Sequence, residues 1–81
     1  MKKYVIKINI YDCANCKSIV AHEISTESET NAHDSINKWM QNVSTKYNMQ
    51  DWKKEIFPNG EMFSSSNSDY INAVALLRFE N

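Results

Sequence analysis

The sequence predicts an α+β fold, in which an antiparallel β-sheet of four to five strands carries one helix on one face, in the order β-β-α-β-β-β. Three observations support this class. Residues 3–11 alternate apolar and polar side chains, as a half-buried strand does. Residues 30–47 repeat apolar side chains at helical spacing, and Asn59–Gly60 is a strong hairpin signal. The 81 residues predict a single domain, 1–81, with one core.

The first two elements are predicted as a hairpin. In residues 3–11 one face of the strand is formed by Tyr4, Ile6, Ile8 and Ile10. Residues 18–26 are rich in β-branched side chains, which favours a second strand joined to the first by the short link DCANCK. A helix beginning near Cys16 is the alternative for this segment.

The helix is predicted from Thr30 to Tyr47. Asp34 in its first turn and Lys46 in its last turn suit the helix dipole. The candidate N-cap residues are Ser28, Thr30 and Asn31. The apolar stripe expected to face the core consists of Ala32, Ile36, Trp39, Met40, Val43 and Tyr47.

Three further strands are predicted after the helix. Residues 52–57 and 61–65 flank Asn59–Gly60, and Pro58 places this hairpin at a sheet edge because proline donates no hydrogen bond. Residues 64–69, SSSNSD, are predicted as a loop. Residues 70–80 are apolar on both faces and are therefore predicted as a central strand.

Composition excludes several classes of function. The formal net charge of -1 argues against direct nucleic-acid binding, which usually requires a basic excess. A single glycine excludes a Gly-rich phosphate-binding loop. The chain shows neither a signal-peptide pattern nor an apolar membrane span, which predicts a cytoplasmic protein with reduced thiols.

One helix covers only one face of such a sheet, so the other face is the first candidate site. Its predicted members are Val5, Lys7, Tyr11, Val74, Leu76 and Arg78. A surface that mixes apolar and charged side chains is typical of a partner-binding or homodimer interface, although simple solvation is the alternative. A second candidate is the acidic stretch 18–37, which lacks Lys and Arg and contains Glu23, Glu27, Glu29 and Asp34. It predicts attraction of a basic partner, and a solvated surface partly explained by the helix dipole is the alternative.

Three hypotheses concern Cys13 and Cys16: they are turn residues, a redox pair or zinc ligands. With His22 and His33 they form the pattern C-x2-C-x5-H-x10-H, which has the four ligands that zinc needs but not a standard finger spacing. Zinc is the only cofactor that the pattern suggests.

The segment VIKINIYDCANCKSIV also resembles the first strand and C-x-x-C turn of glutaredoxins. The resemblance implies a thiol-disulfide enzyme in which Cys13 attacks from a helix N-terminus and Cys16 resolves the mixed disulfide. The segment QDWKKEIF lacks the proline that glutaredoxins carry before their third strand. Catalysis outside the two thiols is not predicted, because no hydrolase or carboxylate-pair motif is present.

The opening strand-strand-helix region, YVIKINIYD to SINKWM, is similar in architecture to small phage-encoded anti-defence proteins, including anti-CRISPR proteins. This resemblance implies a non-enzymatic, stoichiometric inhibitor or regulator of a nucleic-acid-handling complex in the bacterial cytoplasm. The expected partner is a protein or a ribonucleoprotein. The partner-binding residues expected to carry this function are Tyr11, Lys7, Glu23, Glu27, Glu29, Asp34 and Arg78.

Overall fold

The computed structural model describes residues 3–80 and confirms the predicted class. Five strands and one helix follow one another in the order β-β-α-β-β-β. Their bounds are β1 Lys3–Asp12, β2 Lys17–Thr26, α1 Glu29–Tyr47, β3 Gln50–Phe57, β4 Gly60–Ser66 and β5 Ile71–Glu80. Residues 18–26 are therefore strand, as their β-branched composition favours, and the alternative helix from Cys16 is wrong.

The five strands form one antiparallel sheet in the spatial order β2-β1-β5-β4-β3. The last strand, β5, pairs with β1 on one side and β4 on the other, so its prediction as a central strand is confirmed. The hairpin of β3 and β4 places β3 at a free edge, as Pro58 indicates.

The helix lies on one face and closes the core. Ser28 is the N-cap, since its Oγ accepts a hydrogen bond from the Asn31 N–H at 3.2 Å. The helix begins at Glu29, so Glu29 and not Asp34 occupies the favourable first turn. The predicted stripe is buried or half-buried throughout. The side chains that it meets on the sheet are Tyr4, Ile6, Ile8, Ile10, Ala73, Ala75 and Leu77, all buried.

The turn between β3 and β4 differs from the prediction in one respect. Phe57 pairs with Gly60, so Pro58 and Asn59 form the turn and Gly60 is the first residue of β4. Gly60 does not have a positive φ. Glycine is needed there for close packing, because a Cβ at this position would collide with the backbone carbonyl oxygen of Leu77.

The loop after β4 is shorter than predicted. Ser64–Ser66 belong to β4, where they pair with β5, and the Ser65 hydroxyl donates to the Gln50 carbonyl at 2.6 Å. The loop itself, residues 67–70, is organised by Asn67. Its Oδ1 accepts from the Ile71 N–H at 3.1 Å, and its Nδ2 donates to the Tyr47 carbonyl at 2.7 Å. Among residues 3–80, no helix has both the length and the apolar character needed to cross a membrane.

Candidate functional site

The face of the sheet opposite α1, hereafter the open face, is the largest candidate site. The only helix among residues 3–80 packs on the other side. The strand registers arrange the open face in rows across the sheet, from β2 to β3. These rows are Ser25–Val5–Arg78–Gly60–Phe57, Glu23–Lys7–Leu76–Met62–Glu55 and Ala21–Asn9–Val74–Ser64–Lys53. A further row begins with Ser18, Tyr11, Asn72 and Ser66.

The middle of the open face is apolar. Leu76, Val74 and Met62 are neighbours there and are half-buried without help from the helix. Val5, on the same face, is only 3% exposed. Tyr11 and Phe57 stand near opposite corners of the face, with 37% and 39% of their surface exposed. A partner could therefore bury an apolar centre that water already reaches only in part.

Charged side chains surround this centre in both signs. Lys7, Arg78 and Lys53 are positive, whereas Glu23 and Glu55 are negative. Lys7 lies directly across from Glu23 in the register of β1 and β2. An apolar centre with a rim of mixed charge is the usual composition of a protein-binding surface.

Arg78 is tied to Glu80 by an ion pair of 3.6 Å between Nη2 and Oε1. Its Nε is buried and has no hydrogen-bond partner among residues 3–80. A buried donor without an acceptor is costly, and a docking partner cannot reach this atom, so the partner would contact the terminal guanidinium nitrogens of Arg78. The predicted residues Val5, Lys7, Tyr11, Val74, Leu76 and Arg78 are thus all brought to one face.

The predicted acidic residues do not share that face. Glu23 belongs to the open face, whereas Glu27 and Glu29 lie at the junction of β2 and α1, and Asp34 lies on the helix itself. All four are exposed, and within residues 3–80 none forms an ion pair. The stretch is therefore continuous in sequence but divided in space between a strand and the helix on the opposite side of the sheet.

A polar cavity at the far end of the open face was not predicted. It has a volume of about 430 Å³ and lies where β3 begins. Its polar lining includes Gln50, Asp51, Lys53, Ser64, Ser66 and Asn72. The cavity forms beside a β-bulge between Gln50 and Lys53, at which Asp51 has a φ of 58°. Since an aspartate carries no strong signal for such a bulge, the sequence alone could not reveal it.

Cys13 and Cys16 lie in the turn between β1 and β2, and both are exposed free thiols. Cys16 adopts a left-handed conformation with a φ of 51°. The Cys13 N–H donates to the Tyr70 carbonyl at 2.9 Å, and the Asn72 amide donates to the Cys13 Sγ at 3.1 Å. The segment that follows is strand β2, so Cys13 does not occupy the helix N-terminus that the glutaredoxin resemblance implies.

The four potential zinc ligands are distributed over three elements. His22 lies in the middle of β2, opposite Ile8, and His33 lies on α1. The His33 Nε2 is 3.2 Å from the Glu61 carboxylate. Within residues 3–80, no three His, Cys, Asp or Glu side chains come together as a metal site. The structure therefore does not assemble the ligand set that the spacing suggests.

Comparisons with family models, curated proteins and solved structures give no match to this chain. The function must accordingly be argued from the surface that the fold presents.

Proposed function

We propose that this chain is a non-enzymatic binding protein that uses the open face of its sheet to dock on a protein or ribonucleoprotein partner. The observation that carries the proposal is the uncovered face itself. Its apolar centre of Leu76, Val74 and Met62 is enclosed by charges of both signs. Such a surface is better suited to recognition of another folded surface than to chemistry on a small molecule.

The composition of the face favours a protein surface over bare nucleic acid as the partner. Its positive residues Lys7, Arg78 and Lys53 are interspersed with Glu23 and Glu55, so no continuous basic track for a phosphate backbone is formed. The net charge of -1 also disfavours binding to the negatively charged backbone of a nucleic acid. Tyr11 and Arg78 are residue types that contribute strongly to protein interfaces.

The size of the face limits the strength of the interaction. Five strands about 4.8 Å apart and four rows about 7 Å apart give this face an area on the order of 700 Å². A stable complex usually buries about 800 Å² on each partner. The rim and the β1–β2 turn must therefore contribute, or a second copy of the chain must enlarge the surface.

The partner that we propose is a bacterial nucleic-acid-handling defence complex of the CRISPR type, which the chain would inhibit stoichiometrically in the bacterial cytoplasm. The resemblance in architecture to phage-encoded anti-defence proteins supports this choice. Titration of the chain against purified RNA-guided effector complexes during plasmid cleavage tests it. We expect cleavage by one effector to fall linearly and to stop near equimolar chain. No inhibition and no complex with any effector would contradict the proposal.

Matched charge reversals separate the open face from the rest of the surface. Lys7→Glu lies on the open face beside its apolar centre, whereas Lys38→Glu lies on the exposed side of α1. We expect Lys7→Glu and Tyr11→Ala each to weaken inhibition about tenfold or more, and Lys38→Glu to leave it unchanged. If charge reversal at Glu27 and Glu29 weakens binding while Lys7→Glu does not, the docking surface is the β2–α1 junction.

The thiol and zinc hypotheses have no comparable support, because Cys13 and Cys16 lie in a turn without a helix N-terminus or assembled histidines. A native mass spectrum of protein purified without chelator or reductant distinguishes them. A zinc adduct would favour the metal site, and loss of the thiol hydrogens would favour the disulfide. We expect a metal-free, reduced chain.

A further inference from the structure

The free edge of β3 exposes more apolar surface than an edge strand normally does. Ile56 is 74% exposed and Phe57 is 39% exposed. β3 pairs only with β4, so its outer edge presents unpaired backbone N–H and C=O groups. Edges of this kind readily pair with another strand. Phe57 belongs to the open face, but Ile56 is on the helix side of the sheet, so its exposure requires an explanation that the open face does not provide.

We propose that β3 pairs antiparallel with β3 of a second copy, around a two-fold axis that passes through Lys54. The sheets of the two copies then form one continuous sheet with both helices on the same side. In this register Lys53 lies opposite the partner's Glu55, and Trp52 lies opposite the partner's Ile56. Because the interface is isologous, each of these pairs occurs twice.

The register is complementary on both faces of the sheet. Lys53 and Glu55 belong to the open face, since they pair with Ser64 and Met62 of β4. Opposite charges directly across from each other stabilise a strand pair. Ile56 pairs with Glu61, which contacts His33 of the helix, and therefore belongs to the helix side. Trp52 is also on the helix side, where it packs edge-on against Trp39 with ring centroids 5.7 Å apart.

Neighbouring symmetric registers are unfavourable. An axis through Lys53 would place that lysine against its own copy and Asp51 against the partner's Glu55. An axis through Glu55 would oppose the two Glu55 carboxylates and leave Lys53 facing Phe57. Like charges directly opposite each other destabilise a strand pair. Of these three axes, the one through Lys54 is the only one that places opposite charges across from each other, although it leaves Asp51 opposite Phe57.

Lys54 meets its own copy at the axis, but its ammonium group is directed back into its own chain. The Nζ is 3.8 Å from the Glu61 carboxylate and lies 5.6 Å from the centroid of the Phe63 ring. These contacts offset part of the charge and draw it towards β4, away from the axis. The carboxylate of Glu61, on the helix side, thus reduces the repulsion between the two Lys54 side chains at the axis.

The opposite edge, β2, does not offer an equivalent arrangement. A β-bulge interrupts its pairing with β1 between Ile10 and Tyr11. As a result Lys17 lies opposite Asp12 and Glu23 lies opposite Lys7, which places Lys17 and Glu23 on different faces of the sheet. A symmetric β2 pair cannot join these charges, whereas the bulge of β3, between Gln50 and Lys53, lies at the end of the paired strip.

The proposed strip is narrow, so the dimer is expected to be weak. Five paired residues on each copy bury less than the roughly 1,200 Å² of a stable complex. The test is sedimentation equilibrium of the full chain between about 10 µM and 1 mM, a range suited to an interface of this size. We expect the mass to rise from 9.4 kDa towards twice that value across this range.

Charge reversals then identify the register. Lys53→Glu and Glu55→Lys should each raise the dissociation constant about tenfold. The double variant Lys53→Glu/Glu55→Lys should restore it to within about threefold, because each pair is re-formed with its charges exchanged. All of these residues are exposed, so folding is checked by circular dichroism and is expected to be unchanged.

Two controls keep the result interpretable. Lys17→Glu on the β2 edge and Lys7→Glu on the open face should leave the dissociation constant unchanged. A chain that is monomeric throughout the concentration range overturns the proposal, and so does a dimer that both single reversals leave intact. Loss of the dimer in Lys7→Glu instead would show that copies pair through the open face. Lys53 and Glu55 also belong to the rim of the open face, but sedimentation measures self-association and not inhibition of a partner, so failure here leaves the proposed function intact.

Discussion

The two faces of the sheet are built from the same strands but have different properties. On the helix side, Ile6 and Leu77 lie opposite each other and are 1% and 0% exposed. The adjacent pair, Lys7 and Leu76, lies on the open face, where Lys7 is exposed and Leu76 is half-buried. The alternation of side chains thus allows one strand to stabilise the fold on one face and to carry a candidate binding surface on the other.

The two faces do not differ completely in burial, because one residue of the open face is buried. Val5 belongs to the open face, between Ser25 and Arg78, yet it is as buried as a core residue. Val5 is therefore part of the buried structure, and the apolar surface available to a partner consists of the half-buried and exposed side chains around it.

The largest effect that the comparison predicts is the difference between two adjacent leucines of β5. Leu77→Ala should destabilise the fold by about 3 kcal/mol, because it opens a cavity in a fully buried site. Leu76→Ala should cost about 1 kcal/mol or less, because that side chain is already partly solvated and leaves no enclosed cavity. Urea unfolding followed by circular dichroism measures both.

The pair is well matched, since the same atoms are removed from neighbouring residues of one strand. Equal losses for the two variants would show that the open face is as essential to stability as the covered face. The open face would then be part of the structural core, and that result would contradict the proposal that it is a docking surface. Leu76→Ala should instead show its effect in the inhibition assay.

A smaller effect is expected at Gly60, where the open face is least tolerant. Gly60→Ala places a Cβ against the Leu77 carbonyl and should cost about 1–3 kcal/mol, since the backbone of β5 would have to shift. Asn59→Ala is the control, because within residues 3–80 Asn59 contributes only its backbone carbonyl, which accepts from the Phe79 N–H at 2.8 Å. It should change stability by less than about 0.5 kcal/mol. The melting temperatures of the two variants, measured side by side by thermal unfolding, test this difference in stability.

The secondary structure could be predicted because its signals are local. The alternation of Tyr4 to Ile10, the stripe from Ala32 to Tyr47 and the two-faced apolar character of residues 70–80 each reflect direct burial. Gly60 shows the limit of such reasoning. The dipeptide Asn59–Gly60 correctly predicts a hairpin, but the reason for glycine is a close approach to β5, which depends on the register of a distant strand.

The candidate site was predictable in part for the same reason. Its strand residues follow from alternation, since Lys7, Tyr11, Leu76 and Arg78 all lie on the face that the core residues leave free. The acidic residues were grouped by proximity in sequence, and the structure separates Glu23 from Asp34 because a strand ends and a helix begins between them. The cavity beside Asp51 depends on a bulge that no residue type in that segment signals.

The smallest expected effect concerns the β1–β2 turn, which neither face of the sheet buries. Residues 13–16 are all exposed, so hydrogen bonds rather than burial must define the turn. The Asn15 side chain donates to the Asp12 carboxylate at 2.8 Å, and the Asn15 N–H donates at 3.2 Å. These bonds lower the pKa of Asp12, with the side-chain bond as the larger cause.

The sign of the pH dependence follows from that shift. Because the folded-state pKa of Asp12 lies below its unfolded value, its contribution to stability is present above the unfolded pKa, about 3.9. It is lost as the pH falls through the folded pKa. Asn15→Ala should raise the pKa of Asp12 towards its ordinary value, as followed by NMR titration of the carboxyl carbon. An unchanged Asp12 pKa in Asn15→Ala would mean that the backbone amides alone hold the carboxylate, and that the turn does not depend on its side chains.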